Sequence, residues 1–438
     1  MIFKFKLKVV LLIIALVSCI AASGCQISLK DKLSDNKAIS DSNNSVTSDS
    51  SVSDNKNDSI SIKESQDESS SSLKKDEGPI PEISDPTPDN EGETVEGIFV
   101  YNGVAYEPFY GGETMAKYYA DAISDIKKDL GDKIKVYNLI VPTHSGVDLP
   151  EKFKDIFNDQ SEYINNIFSS YSADIIGISG MDKLLHHRNE YIYFNSDHHW
   201  TALGAYYAYL EFADAAGIEP VKLSDLKEDK IEGYQGSFAS ITGLDTLKED
   251  YVTYYTSSDN IDCTKYDENG ENPEDYMLIH SYTSGPYSYG VFLGGDTPLL
   301  VTKNSNGNGK KIAVIKESYG NAFSPFIVYT YSETHLIDFR HVNIDLKSYL
   351  EANGIDEVLF INNTMASATD VRVDEMRELI KNNNDTQTYE YENVESSDQT
   401  LYDSDSSVYD ENDYSGENNE EDYDNINDDE TYSPDIEE

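Results

Sequence analysis

Cysteine is scarce in this chain of 438 residues, which has only Cys19, Cys25 and Cys263. Two of the three lie near the N-terminus, so the remainder holds a single thiol and no internal disulfide framework. Stability must come from an apolar core, and the middle of the chain is long enough to bury one. Positive charge is also short. Only 33 Lys and Arg stand against 82 Asp and Glu, giving a formal net charge of −49. No basic stripe occurs, which argues against nucleic acid as a partner. Residues 382–438 contain no Lys or Arg at all, and the chain has one tryptophan, Trp200. The apolar run Val9 to Val17 near the start is too short to span a bilayer comfortably.

Lys4, Lys6 and Lys8 precede that run and small residues follow it, the pattern of a secretory signal. Ala22-Ser23-Gly24-Cys25 has the form of a lipobox, in which the thiol is acylated after cleavage. Cys25 is the favoured site because Gly24 precedes it and the polar chain begins at once; Cys19, after Leu16-Val17-Ser18, is the alternative. An uncleaved anchor would leave the protein in the same place. The expectation is an extracytoplasmic protein, lipid-anchored at the outer face of the cytoplasmic membrane in the cell envelope. Residues 26–92 are rich in Ser, Asp and Asn with scattered Pro and read as a disordered tether. Residues 382–438 read as a disordered acidic tail that solvates the protein, with weak cation binding or docking on a basic partner as alternatives.

The folded body is expected at 93–381. Asn102-Gly103 marks a hairpin turn within Glu96 to Tyr106. Thr114 to Leu130 is helical, Ile134 to Val141 a strand, Leu149 to Tyr171 mostly helical and Ala173 to Ser179 a strand. Later come strand Ile312 to Ile315, helix Ala322 to Tyr331, strand His335 to Phe339, helix Leu346 to Asn353 and strand Glu357 to Asn362. Strands alternating with helices of this length mean an α/β fold with a parallel sheet covered on both faces. The Gly- and Tyr-rich stretch 219–289 breaks the pattern and reads as an inserted, irregular β-rich lobe.

Two blocks carry chemistry. The first is Asn195-Ser196-Asp197-His198-His199-Trp200-Thr201, after an expected strand Glu190 to Phe194 and before a helix from Ala202 to Ala216 with Thr201 as N-cap. A carboxylate two residues from an imidazole can fix its tautomer and stabilise its cation. The plainer alternative is that Asp197 caps the turn and the histidines merely pack. The second block, Ile312 to Phe323, reads strand, tight turn, helix, with Ser318 at the carboxyl end of a buried strand. Open α/β sheets bind ligands at that edge, and backbone N–H groups at a helix start stabilise an oxyanion. Ser318 is alternatively an ordinary N-cap. Asn362 and Asn363 close the last strand as oxyanion donors or as turn residues. Arg340 lies at the same edge, to bind an anion or sugar or to pair with a carboxylate. No metal is expected, because adjacent histidines such as His186-His187 and His198-His199 point apart in a strand or turn.

With these blocks in hand, the sequence resembles the DHHW proteins, which are similar to the SGNH-like accessory proteins of alginate and cell-wall O-acetylation. The resemblance spans about Ile98 to Ala366. It implies an SGNH-hydrolase-like three-layer sandwich in permuted order, with Asp and His before Ser. It maps a catalytic Asp197, His199 and Ser318, puts His198 in a variable slot and assigns Asn362 or Asn363 to the oxyanion. The serine turn departs from the Gly-Asp-Ser form, having Glu317 before Ser318. The implied function is acyl transfer to an extracellular polysaccharide, with a membrane-bound O-acyltransferase as donor and no cofactor. An SGNH-type acetylesterase and a non-catalytic wall-binding lipoprotein are the alternatives.

Overall fold

The computed structural model describes residues 78–380 except 84, 86 and 88. The signal segment with Cys19 and Cys25, most of the expected tether and the acidic tail lie outside the described residues. Within the stretch read as tether, residues from 78 onward already touch the body. The Pro81 carbonyl accepts from Arg188 Nε at 2.7 Å, and Asp85 pairs with Lys152 at 3.2 Å.

Three short antiparallel strands come first: β1 (Glu93–Val95), β2 (Ile98–Tyr101) and β3 (Val104–Tyr106). Asn102 and Gly103 have φ of 51° and 75°. Both positive values define the primed turn that an Asn-Gly pair selects. The central sheet contains β4 (Lys135–Val141), β5 (Ile176–Ser179), β8 (Ile261–Tyr266), β9 (Glu274–Asp275), β10 (Leu299–Asn304), β11 (Lys311–Lys316), β12 (Glu333–Asp338) and β13 (Glu357–Asn363). Its order is β5-β4-β13-β11-β12-β10-β8-β9. The first five strands are parallel, and the last three join antiparallel. The parallel strands read as apolar runs (Val136 to Val141, Ile312 to Ile315, Val358 to Ile361) because both faces are covered.

Helices Ala202–Ala216 and Tyr319–Thr330 pack together, as do Glu113–Leu130, Gln160–Ser169 and Asp370–Arg377. The crossovers β4 to β5 and β11 to β12 run in opposite directions along the sheet. Right-handed connections therefore set their helices on opposite faces. The result is a mixed α/β fold with a large, mostly parallel sheet between helices. Among the described residues no helix is long and apolar enough to cross a membrane.

Several expected elements differ. Glu190 to Phe194 forms no strand; a single bridge pairs Tyr193 with Trp200. Between 149 and 171 the long helix is confined to Gln160–Ser169, preceded by a short 3-10 turn. Asp159 caps that helix through its Oδ1, and an Asx cap competes with helix continuation through it. The stretch 219–289 is not one separate lobe. Strands β6 (Lys227–Tyr234) and β7 (Asp250–Thr256) make a hairpin of their own, while β8 and β9 extend the main sheet.

Candidate active site

Each parallel strand ends at the same edge, and the two sequence blocks meet there. Block one is a turn fastened by an acid far along the chain. Asp250, 1% exposed, accepts from Asn195 N (2.9 Å) and Nδ2 (2.7 Å), from Ser196 N (2.7 Å) and Oγ (2.5 Å), and from Tyr191 Oη (2.6 Å). Thr201 Oγ1 accepts from Gly204 N at 3.3 Å, capping helix Ala202–Ala216 as expected. Trp200 is fully buried, and its indole N–H donates to the Tyr319 carbonyl at 2.9 Å. The Tyr319 hydroxyl donates back to the His198 carbonyl. These two bonds lock block one to the serine turn across more than a hundred residues.

Between the blocks lies a continuous chain of polar groups. Asp197 Oδ1 is 2.7 Å from His199 Nδ1, and His199 Nε2 is 2.8 Å from Ser318 Oγ. Asp197 also accepts from His199 N (2.9 Å) and Ser237 N (2.7 Å). Burial by itself would raise the Asp197 pKa. The adjacent His198 and His199 charges and the hydrogen bonds from His199 and Ser237 outweigh it and hold the carboxyl far below its usual range. An ionised Asp197 only accepts, so Nδ1 of His199 carries a proton and donates. With Nδ1 turned to Asp197, Nε2 is the ring nitrogen that faces the Ser318 hydroxyl. Ser318 heads helix Tyr319–Thr330 but makes no side-chain cap bond. Of its two readings, the hydroxyl therefore takes the imidazole, not the helix start.

The imidazole is held from both sides. The His198 ring lies 3.8 Å from it by centroids, tilted 38°. Tyr289 stacks on it at 3.9 Å and 15°, with its hydroxyl donating to the Ser318 carbonyl at 3.0 Å. The expectation that His198 and His199 point apart is therefore corrected: the turn is irregular and lays both rings together. His198 Nδ1 bonds Ser237 Oγ at 2.7 Å and stands 3.9 Å from Asp197 Oδ2.

The strand-end candidates separate. Asn362 turns away: its Oδ1 accepts from Tyr119 Oη at 2.8 Å, and its buried Nδ2 has no hydrogen-bond partner among the described residues. Alternation along β13 sends Asn363 the other way. Asn363 N and Nδ2 donate to Glu317 Oε1 at 3.0 and 3.3 Å, and Asn363 Oδ1 caps the next helical turn. Glu317, 4% exposed, also accepts from Tyr319 N at 2.9 Å and lies 3.4 Å from Ser318 Oγ. Burial raises its pKa, opposed by the Tyr319 N–H, Arg340, the Asn363 N–H and His199. Arg340 takes the structural one of its two readings. It forks onto Asp338 at 3.0 and 2.8 Å and reaches Asp296 at 2.8 Å. Lys316 joins Asp338 at 3.2 Å, both fully buried.

Asp197, His198 and His199 each offer a metal-ligand atom within 4.8 Å of one another, as do Asp296, Asp338 and His341. In the first group both His199 nitrogens are already committed to Asp197 and Ser318. In the second, Asp338 is taken by Arg340 and Lys316. Neither donor set fits a resident ion. A cleft of about 850 Å³ lined by Gly111, Gly146, Gln160 and Arg188 among others includes none of the triad.

Three site residues carried no local signal in the sequence: Asp250, Tyr289 and Gly236, whose backbone leads into the Ser237 N–H. Asp250 reaches Ser196 across 54 positions, Ser237 reaches Asp197 across 40, and Tyr289 reaches Ser318 across 29.

A doubly covered parallel sheet with a hydroxyl, an imidazole and a carboxylate in series at its carboxyl edge defines an α/β protein with a serine-histidine-aspartate arrangement. The chain belongs to the DHHW protein family, whose pattern matches residues 33–337. It is similar to the crystal structure of a DHHW family protein from Eubacterium siraeum, with a TM-score of 0.62 and 27% identity over 66% of this chain and 98% of that one. It is also similar to Bacillus cereus PatB1, with a TM-score of 0.52 and 20% identity over 63% of this chain and 98% of that one. The PatB1 structure with a sulfonyl adduct gives a TM-score of 0.53 and 19% identity over 67% and 100%. Comparison with curated protein sequences gives no match.

Proposed function

We propose that this protein transfers an acyl group, most simply acetyl, to a hydroxyl of an exopolysaccharide or cell-wall glycan outside the cytoplasm. The observation that carries the reading is the 2.8 Å approach of Ser318 Oγ to His199 Nε2, with Asp197 2.7 Å behind the ring. His199 removes the Ser318 proton as Oγ attacks the acyl carbonyl, and the leaving group of the donor departs with that proton. A sugar hydroxyl then gives its proton to His199 and attacks the acyl-serine. The ester forms on the sugar and the proton returns to Ser318. Asn363, not Asn362, is the amide held at the serine turn, but its N and Nδ2 donate to Glu317, so the Ser318 N–H is the oxyanion donor this reading calls on. One such donor is worth about 3 kcal/mol when well placed.

Ser318 and His199 are each 5% exposed, and low exposure to bulk water favours transfer to a bound sugar hydroxyl over hydrolysis. The strand order supports an SGNH-like sheet in permuted order. Taken as β12-β11-β13-β4-β5, it is the doubly wound order 2-1-3-4-5 with the serine strand β11 counted first. Anchoring through Cys25, or Cys19, would hold the enzyme at the membrane beside a membrane-bound O-acyltransferase that supplies the acyl group. The tether would let it reach the glycan. The test is to incubate the protein with an activated acetate ester and map the adduct. Acetate on the Ser318 peptide, absent in Ser318→Ala, is expected. Unchanged ester turnover by Ser318→Ala would overturn the assignment.

A further inference from the structure

Residues 278–293 form a loop whose ends are tied together and whose two sides face different partners. Its base is the Ile279–Phe292 bridge, reinforced by His280 N to Val291 O at 2.8 Å and Leu293 N to Leu278 O at 3.0 Å. Thr283 Oγ1 and Ser288 Oγ bond to carbonyls within the loop, as compact Ω-loops do. Its inner side is Tyr289, stacked on His199. Its outer side carries Tyr282 and Tyr287, 65% and 50% exposed.

The exposed rings sit on a prepared surface. Tyr282 Oη is 2.8 Å from Nδ1 of His280, a residue 3% exposed whose Nε2 is 2.8 Å from the Met277 carbonyl. A carbonyl only accepts, so Nε2 carries the proton, and the neutral ring's Nδ1 accepts from the tyrosine hydroxyl. An aromatic side chain that projects into solvent is thus anchored at its polar tip, and stacking on it costs little further rotamer entropy. From Tyr276 to Gly295 the chain carries no Asp, Glu, Lys or Arg, although charged residues make up 26% of the sequence. Ser281, Thr283 and Ser284 supply hydroxyls beside the rings.

We infer that this loop reads the acyl acceptor: Tyr282 and Tyr287 stack the pyranose rings of an uncharged glycan chain while Tyr289 orients His199. The inference rests on the acyl-transfer reading above. Pyranose faces present C–H groups whose partial positive charge matches the negative face of a tyrosine ring, and their hydroxyls bond to the flanking Ser and Thr. Exposed rings flanked by hydroxyls and free of charged neighbours in sequence suit an uncharged sugar.

Titration of the full chain with chitohexaose, cellohexaose and xylohexaose tests it. At least one is expected to bind, with Tyr282→Ala and Tyr287→Ala each weakening affinity about tenfold, the scale of one aromatic stacking contact. Tyr282→Trp restores binding, because the ring face and not the fold is at issue. Equal affinity of wild type and the double Ala variant overturns the inference; so does a wild type that binds none of the three. Failure to acylate Ser318, with ring-dependent glycan binding intact, would sink the transfer reading and leave the sugar platform standing.

Discussion

Gly236 presses its backbone against Asp197. A Cβ at position 236 would stand 2.2 Å from both Cβ and Oδ2 of Asp197. That approach is what brings Ser237 N to 2.7 Å from the carboxylate. Gly236→Ala must therefore push Asp197 away from His199. A displacement near 1 Å in a catalytic group costs on the order of 100-fold. We predict a loss of that size in Ser318 acylation rate with a folded circular-dichroism spectrum; wild-type acylation would contradict it.

Tyr289 supports the imidazole in two separable ways. Tyr289→Phe removes the bond to the Ser318 carbonyl but keeps the ring, and that carbonyl retains Asn321 N as a donor at 3.0 Å. A modest drop of about threefold is expected. Tyr289→Leu also removes the stack on His199, lowering the rate by roughly a further fivefold. The order wild type, Phe, Leu in the acylation rate checks the role, and a Leu variant as fast as wild type would remove it.

Asp250 gathers donors from Tyr191, Asn195 and Ser196. Asp250→Asn turns one acceptor oxygen into an amide that faces N–H and O–H groups. About 2–4 kcal/mol of stability should be lost, as when buried donors lose their partner. Urea unfolding reads this directly, and an unchanged midpoint would mean the turn holds itself.

Two carboxyls predict opposite pH responses. The folded-state pKa of Glu317 is raised by burial, so its contribution to stability is present below its unfolded value of about 4.3 and is lost as pH rises through the folded pKa. Asp197 is depressed, so its contribution is present above about 3.9 and disappears only as pH falls through the lower folded value. Relative to Glu317→Gln, the wild type should therefore lose stability from about pH 4.5 upward, a window in which Asp197 is constant. A wild-type minus variant difference that stays flat or increases from pH 4.5 to 8 would contradict the assignment.

Much of this was legible in the sequence where the signal is local. The Asn102-Gly103 turn, the Thr201 cap and the apolar runs of β4, β11 and β13 depend on neighbouring residues, and each formed as read. The strand expected at Glu190 to Phe194 did not, because that segment is fastened by Asp250 and bridged at one residue to Trp200 rather than paired along a ladder. The side of β13 on which each amide falls was not readable either. Two adjacent asparagines at a strand end point to opposite faces, and only the register against β4 and β11 decides which meets Glu317. Asp250, Gly236 and Tyr289 act on the motif from far along the chain, so no spacing rule reveals them. Arg340 had two readings at the sheet edge, and Asp338 and Asp296 together determine which holds.

The central claim is that Ser318 is activated by His199, itself oriented by Asp197. Its most direct test is the pre-steady-state burst of acetyl-enzyme with an activated acetate ester, followed as acetate on the Ser318 peptide. Wild type should show near-stoichiometric acylation, His199→Ala none on the same timescale, and Asp197→Asn a rate reduced by about 10³- to 10⁴-fold. Equal acylation of Ser318 in all three proteins, or acetate on another residue in the wild type, would contradict the account.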